Sequence, residues 1–359
     1  MTNDTEIDDN RHLSDFKGVT FSNFKKTDAK KALLLSLYNS KIEPACYWSS
    51  EYICAGHYDD LWSIIIDFYT KYIHIGNPKI LIYLELRLNC YMDILNNGYL
   101  EMKLELRNNH KIRKLFCEII YILCEAKRRH SLGQIKIKEE DYDLTQMTER
   151  FKASDTTFAN NIFSEDDPKE LFIAVNELAY NLSLENKNNI NACYWLEWII
   201  TFEHKCKQRK EPLQCDRRSF ANVMSKFQND IIWIIWDVFI QESNIRNNKL
   251  IKRIISSALN IFCFNYTSAC FKKRRLTLYF IIEILTEPFS TKDEIVENKH
   301  KLQFISDNVH EIYKQIKINE IPTGTDYLFD NGKASNLQQS IDRINAMNNL
   351  GVEYIQNSN

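Results

Sequence analysis

Two stretches of this chain say nearly the same thing 147 residues apart: LSLYNSKIEPACYW, Leu35–Trp48, and LSLENKNNINACYW, Leu182–Trp195. Eight of the 14 ungapped positions are identical, including Ala45/Ala192, Cys46/Cys193, Tyr47/Tyr194 and Trp48/Trp195. Chance gives about one identity over such a length. The likeness continues in order along the chain. LWSIIIDF (Leu61–Phe68) is echoed by IIWIIWDVF (Ile231–Phe239), with Asp67 opposite Asp237, and IIYILCE (Ile119–Glu125) by IIEILTE (Ile281–Glu287). Between the first two anchors the offset grows from 147 to 170, so the second copy carries about 23 extra residues, around His204–Phe227. Three anchors kept in one order predict an internal duplication.

The repeated unit reads as helical. Sheets need many tight turns, and tight turns need glycine and proline; this chain of 359 residues has only 8 Gly and 6 Pro. Leu33, Leu34 and Leu37, then Ala45, Trp48 and Ile53, fall at helical spacing on either side of a polar connection, with Pro44 suited to a first helical turn. The expected fold class is all-α: two divergent copies of a five- or six-helix unit in series. The expected boundaries are a flexible acidic N-terminal tail over 1–27, repeat 1 over 28–130, a polar linker over 131–166, and repeat 2 over 167–318 with a basic insertion at 204–227. A tail over 319–359 follows, with a weakly apolar helix around Leu337–Met347. At the start of the second copy, Asp167 is expected to cap a helix that has Pro168 at its first position. ACYW reads as a core-packing signature in which Trp48 and Trp195 are buried at equivalent positions, Tyr47 and Tyr194 pack beside them, and the small Ala45 and Ala192 admit a neighbouring helix. An aromatic ligand cage is the less favoured alternative, because aromatic side chains at helical spacing dominate cores.

Charge and cysteine usage narrow the function classes. The net charge is -2, so no global field draws the chain to nucleic acid or membrane. The longest apolar stretch, IIWIIWDVFI (Ile231–Ile240), is far short of a membrane span and contains Asp237. The opening MTNDTEIDDNRHLSDF is acidic and polar, unlike a signal peptide. Ten cysteines are scattered through apolar runs without a CxxC pair, the pattern of free thiols in a reducing, intracellular compartment.

The block PACYWSSEYICAGHYDDLWSIIIDFYTKYIHIGNPKILIYL (Pro44–Leu84) resembles a family of helical proteins of large nucleocytoplasmic DNA viruses, which carry a similar block with GNPK followed by apolar residues. That resemblance covers much of the first repeat and implies a viral protein of the host cytoplasm or viral factory, with packaging in the virion as a further option. No activity is carried over with it. The order Ala-x-Tyr-Trp, Gly, Asp and then Ile-Gly-Asn-Pro in the same block also resembles the helical collar of bacterial recombination-associated AAA+ ATPases, relatives of clamp loaders. That likeness implies a helical, self-associating platform. The chain has no GxxxxGK[ST], so the ATPase activity is not implied.

Candidate chemistry is sparse. His204, Cys206 and Cys215 stand close in sequence, but zinc sites ordinarily need four ligands in close pairs, so a solvated insertion loop is favoured and no metal or cofactor is expected. HIGNPK (His74–Lys79) could form a phosphate-binding turn around Gly76 and Lys79, but its lone Gly makes that signal weak; a helix stop at Gly76 and a new start with Asn77 as cap and Pro78 at the first position account for the motif fully. Basic clusters occur at Lys127, Arg128 and Arg129; at Lys205–Lys210 with Arg217 and Arg218; and at Lys272, Lys273, Arg274 and Arg275. On one face they would bind phosphates. The helix order instead puts Arg128 and Arg129 after their helix and Arg274 and Arg275 at the opening of theirs, at opposite ends. The reading is therefore a non-enzymatic interaction or scaffold protein of a large DNA virus, engaging protein partners or itself. The alternative is a replication- or transcription-associated nucleic-acid-binding factor, with nucleic acid the less favoured partner.

Overall fold

The computed structural model describes residues 5–321. Among the described residues the chain forms α-helices joined by short 3-10 turns and loops, with no strand, so the protein is all-α. The helices are α1 (Lys26–Tyr38), α2 (Ile42–Cys54), α3 (Tyr58–Phe68), α4 (Lys79–Asn96), α5 (His110–Glu125), α6 (Leu144–Arg150), α7 (Phe172–Leu182), α8 (Asn189–Gln208), α9 (Ile232–Arg246), α10 (Lys249–Cys263), α11 (Arg275–Thr286), α12 (Lys299–Asp307) and α13 (Val309–Lys317).

Asparagine punctuates this architecture. Asn109, Asn188, Asn248 and Asn298 precede α5, α8, α10 and α12, and each side chain accepts backbone N–H groups of the first turn. Those donors have no partner inside a helix, so each cap contributes about 1 kcal/mol. The Asn247–Asn248 pair performs two tasks in succession. Asn247 ends α9 at φ 50°, ψ 29°, a left-handed conformation that Asn tolerates better than most residues, and Asn248 then caps α10.

The runs α1–α5 and α7–α11 pack in the same order. α1 lies against α2, α3 and α5, and α7 lies against α8, α9 and α11. The two halves share one continuous core of buried apolar side chains, from Ile7 to Ile316. α4 packs along α10, where buried Glu85 accepts hydrogen bonds from Arg253 (2.7 Å) and Asn260 (2.9 Å) of the other half. α12 and α13 then return to the first half and cover α5 and α2. There Arg113 stacks on the Tyr313 ring at 4.0 Å, and Lys114 meets Asp307 at 2.7 Å.

Three expected peripheral segments belong to the body of the protein. In place of a flexible tail, the N-terminal segment buries Ile7, Phe16 and Phe21, and it joins the far end of the described chain through Asn10 N–H to Ile321 O (2.8 Å) and Ile321 N–H to Asp9 Oδ2 (2.9 Å). The expected linker, 131–166, folds over the second half. Its aromatics Phe151, Phe158 and Phe163 pack on the core, and Asp141 accepts from the Tyr194 hydroxyl while its backbone carbonyl accepts from Trp198 Nε1. The insertion at 204–227 is not a solvated loop: α8 runs on to Gln208, and Cys206, Cys215, Arg218 and Ala221 are buried. Most of the expected C-terminal tail, including Leu337–Met347, lies outside the described residues.

The ACYW residues also depart from equivalence. Ala45 and Ala192 are both fully buried, as a close helix approach requires. Trp195 is 1% exposed, between Phe151, Tyr194 and Trp198. Trp48 is only half-buried, edge-on to Phe24 at 5.2 Å, and Tyr47 is half-buried beside it. The reason is the cover: segment 131–166 folds over Trp195, whereas Trp48 has the partly exposed Phe24.

Candidate functional site

A cleft of about 810 Å³ opens between α1, α3 and the segment 264–276 of the other half. Its construction follows from helical periodicity. Lys26, Lys30 and Leu34 recur every four residues on α1 and face the cleft, and Asp60 and Asp67, seven residues or about two turns apart, face it from α3. Two ion pairs join these helices, Lys26 to Asp60 (2.5 Å) and Lys30 to Asp67 (3.7 Å). The opposite wall arises where α10 ends and Asn265 turns left-handed at φ 46°; its Nδ2 donates to Asp59 Oδ1 at 3.0 Å and ties the walls together. Lys273 and Arg274 follow on that wall, facing Asp67.

Asp67 sits on the floor with 43% of its side chain open to the cleft. Burial raises its carboxyl above the usual range, against the pull of Lys30, Arg274 and Lys273. Asp237, its counterpart in the sequence comparison, is half-buried and engaged: Arg218 from the insertion donates Nε to it at 2.8 Å.

At one end the cleft meets the turn after α3, residues 69–73, where Lys71 and Tyr72 line it. Tyr72 is edge-on to Tyr38 at 5.3 Å and to His130 at 5.5 Å, and Tyr38 and His130 stand 6.1 Å apart. These three rings form a rim; Tyr38 is 48% exposed. Among the described residues, Lys71, Lys273 and Arg274 have no carboxylate within ion-pair distance. Lys71 lies over the Tyr72 ring at 5.0 Å, and Arg274 Nη1 donates to Phe262 O.

The sequence-predicted cationic residues divide into two groups. Five make bonds to other parts of the fold, although Arg129 and Arg217 stay exposed. Arg128 donates to Leu37 O and Cys124 O while stacking on Phe68, closing the C-terminal ends of α1 and α5. Arg129 pairs with Glu287 at 3.8 Å, and Arg217 bonds Gln228 Oε1. Arg218 is buried against Asp167 (2.6 Å), Asp237 and Asp216. Arg275 pairs with buried Glu197 at 2.9 Å, to which the Tyr279 hydroxyl also donates. Of the remaining three, Lys272 stands near His204 (3.2 Å), Lys273 lines the cleft, and Arg274 lines it while donating Nη1 to Phe262 O. The clusters are closer than helix order suggested, because Arg129 N–H and Ser131 N–H bond the carbonyls of Tyr72 and Lys71, behind the cleft wall.

Other candidates resolve structurally. Asp167 is no helix cap; it holds Arg218 and accepts Asp216 N–H. Asn77 does not cap α4, and its Nδ2 donates across the seam to Glu294 O. Gly76 allows close packing, since a Cβ there would lie 2.6 Å from Lys127 O. Among the described residues no group of three or more His, Cys, Asp or Glu side chains could hold a metal. All ten thiols are free, eight of them buried. No helix among the described residues is long and apolar enough to cross a membrane.

Lys30, Asp67, Lys71 and Tyr72 escaped sequence reasoning. The Lys26–Lys30–Leu34–Tyr38 spacing on α1 was the available signal, but the facing wall lies more than 190 residues away. No protein-family model, curated protein or solved structure matches the chain.

Proposed function

We propose that the protein is a non-enzymatic helical interaction or scaffold protein of a large DNA virus, built from a duplicated five-helix unit and acting in the virion or the infection factory. The observation that carries this reading is the use of the cationic clusters. Arg128, Arg129, Arg217, Arg218 and Arg275 bind carbonyls, a side-chain amide and carboxylates of the fold itself, which supports a structural use of these clusters. The resemblance of Pro44–Leu84 to viral helical proteins supplies the setting. Quantitative mass spectrometry of purified particles against infected-cell lysate, with light scattering on the purified protein, tests it. Enrichment in particles, or a defined self-assembly, is expected; a strict monomer found free of any assembly in the infected cell overturns it.

A second reading, a replication- or transcription-associated nucleic-acid-binding factor, is supported by one observation: Lys273 and Arg274 converge with Lys30 and Lys71 on a single cleft.

A further inference from the structure

We propose that the cleft between α1, α3 and segment 264–276 binds a nucleotide, free or within a single strand, with its phosphate among Lys71, Lys273 and Arg274 and its base against the rim formed by Tyr38, Tyr72 and His130. The inference is independent of the scaffold reading and deepens the second one.

The charge arrangement selects an anion. Lys26 and Lys30 are engaged by Asp60 and Asp67 and brace the floor. Lys71, Lys273 and Arg274 face the same space from both halves of the molecule without carboxylate partners. Three unpaired cations around a concavity attract a phosphate and release counterions when it binds.

Ring chemistry then distinguishes a nucleotide from an acidic peptide. One face of α1 reads Lys26, Lys30, Leu34, Tyr38, so it leads from the cations to the aromatic rim within a few turns. Single-strand-binding surfaces combine a basic track with exposed rings on which bases stack. A carboxylate peptide makes no use of the rim. The volume, about 810 Å³, is that of a site for one small ligand. Asp67 opposes any anion placed here, which gives the proposal an unusual sign: removing that carboxylate strengthens binding.

The test is fluorescence anisotropy of the full chain with a labelled six-residue oligothymidylate, competed by AMP, pyrophosphate and a glutamate hexapeptide. Binding in the micromolar range is expected, with a log–log salt slope of about −0.7, the value for one phosphate neutralised on a single strand. Lys71→Glu combined with Lys273→Glu should weaken it at least ~10-fold, and Arg274→Glu serves as a second, independent variant. Tyr38→Ala should weaken the oligonucleotide and AMP but not pyrophosphate. Asp67→Asn should tighten all three, and Lys111→Glu and Lys249→Glu, exposed and outside the cleft, should change nothing. Folding of each variant is checked by circular dichroism and thermal melting.

Undiminished binding by the folded Lys71→Glu/Lys273→Glu protein, weaker binding by Asp67→Asn, or competition by the glutamate peptide equal to that of AMP overturns the proposal. Oligonucleotide binding that ignores every cleft variant sinks the cleft assignment and leaves the nucleic-acid reading standing. Cleft-dependent AMP binding with no gain from strand length does the reverse.

Discussion

His74 Nδ1 stands 3.0 Å from Glu283 Oε2, and this pair, with both residues buried, joins the turn after α3 to α11 across the seam between the halves. The contact is held in a costly way. His74 has φ 49° and ψ −132°, a region that favours glycine, and its ring lies edge-on to Phe280. His74→Ala should destabilise by roughly 2–4 kcal/mol, combining an unpaired carboxylate with an emptied ring site. His74→Gly should lose about 1 kcal/mol less despite its smaller side chain, because it removes the backbone strain. Urea denaturation of both variants measures the order; Ala more stable than Gly would show that the strain is not real.

Trp48 and Trp195 should no longer behave as twins. Trp195→Ala is expected to cost roughly 3–5 kcal/mol and Trp48→Ala about half of that or less, since only the former empties a sealed site. Equal losses in parallel denaturant titrations would contradict the half-buried position of Trp48.

Arg218 should prove structural. Its side chain is 7% exposed and holds Asp167, 0% exposed, at 2.6 Å. Arg218→Ala leaves a buried carboxylate without its cation and should lower stability by roughly 3–5 kcal/mol. Thermal melting reads this directly. A variant with wild-type stability and impaired oligonucleotide binding would return Arg218 to the nucleic-acid contacts.

Asp67 sets a pH dependence of defined sign. Burial raises its folded carboxyl above the unfolded value of 3.8, so the fold prefers the protonated form. Its contribution is most favourable below 3.8 and is lost as pH rises through the raised folded value. Stability of the wild type relative to Asp67→Asn should therefore decline as pH climbs through that window. Urea titrations of both proteins across the acid range show it, and a rise with pH would mean that Lys30, Lys273 and Arg274 outweigh burial.

Thiol chemistry should follow burial. Cys46 and Cys117 approach to 3.9 Å inside the core, and the neighbouring Cys117 thiol, then burial, push the Cys46 thiol well up, while Cys90 is exposed. In native-state alkylation followed by mass spectrometry, Cys90 is expected to react first and Cys46 only on unfolding. Early labelling of Cys46 would disprove the packing of α2 on α5.

Much of the fold was legible because it depends on local chemistry. Scarce glycine and proline and helical spacings are properties of short windows, and they correctly indicate an all-α chain. Segment 131–166 read as a linker because its polar residues outnumber its anchors, yet Phe151, Phe158 and Phe163 suffice to fix it to the core. Arg218 looked like a surface cation because its counter-charges, Asp167 and Asp237, are distant in sequence. The cleft was illegible for the same reason: α1 carries half of a charge pattern whose other half, Lys273 and Arg274, begins after α10.

The return of α13 to α2 and α5 has a consequence during synthesis. A ribosome makes residues in order at about 5–20 per second, so roughly 10–40 s separate the emergence of α5, which ends at Glu125, from that of α13, which ends at Lys317. Through that interval the nascent first half leaves the apolar site of Tyr313 uncovered, and a chaperone or an early partner has a surface to hold that the finished protein conceals.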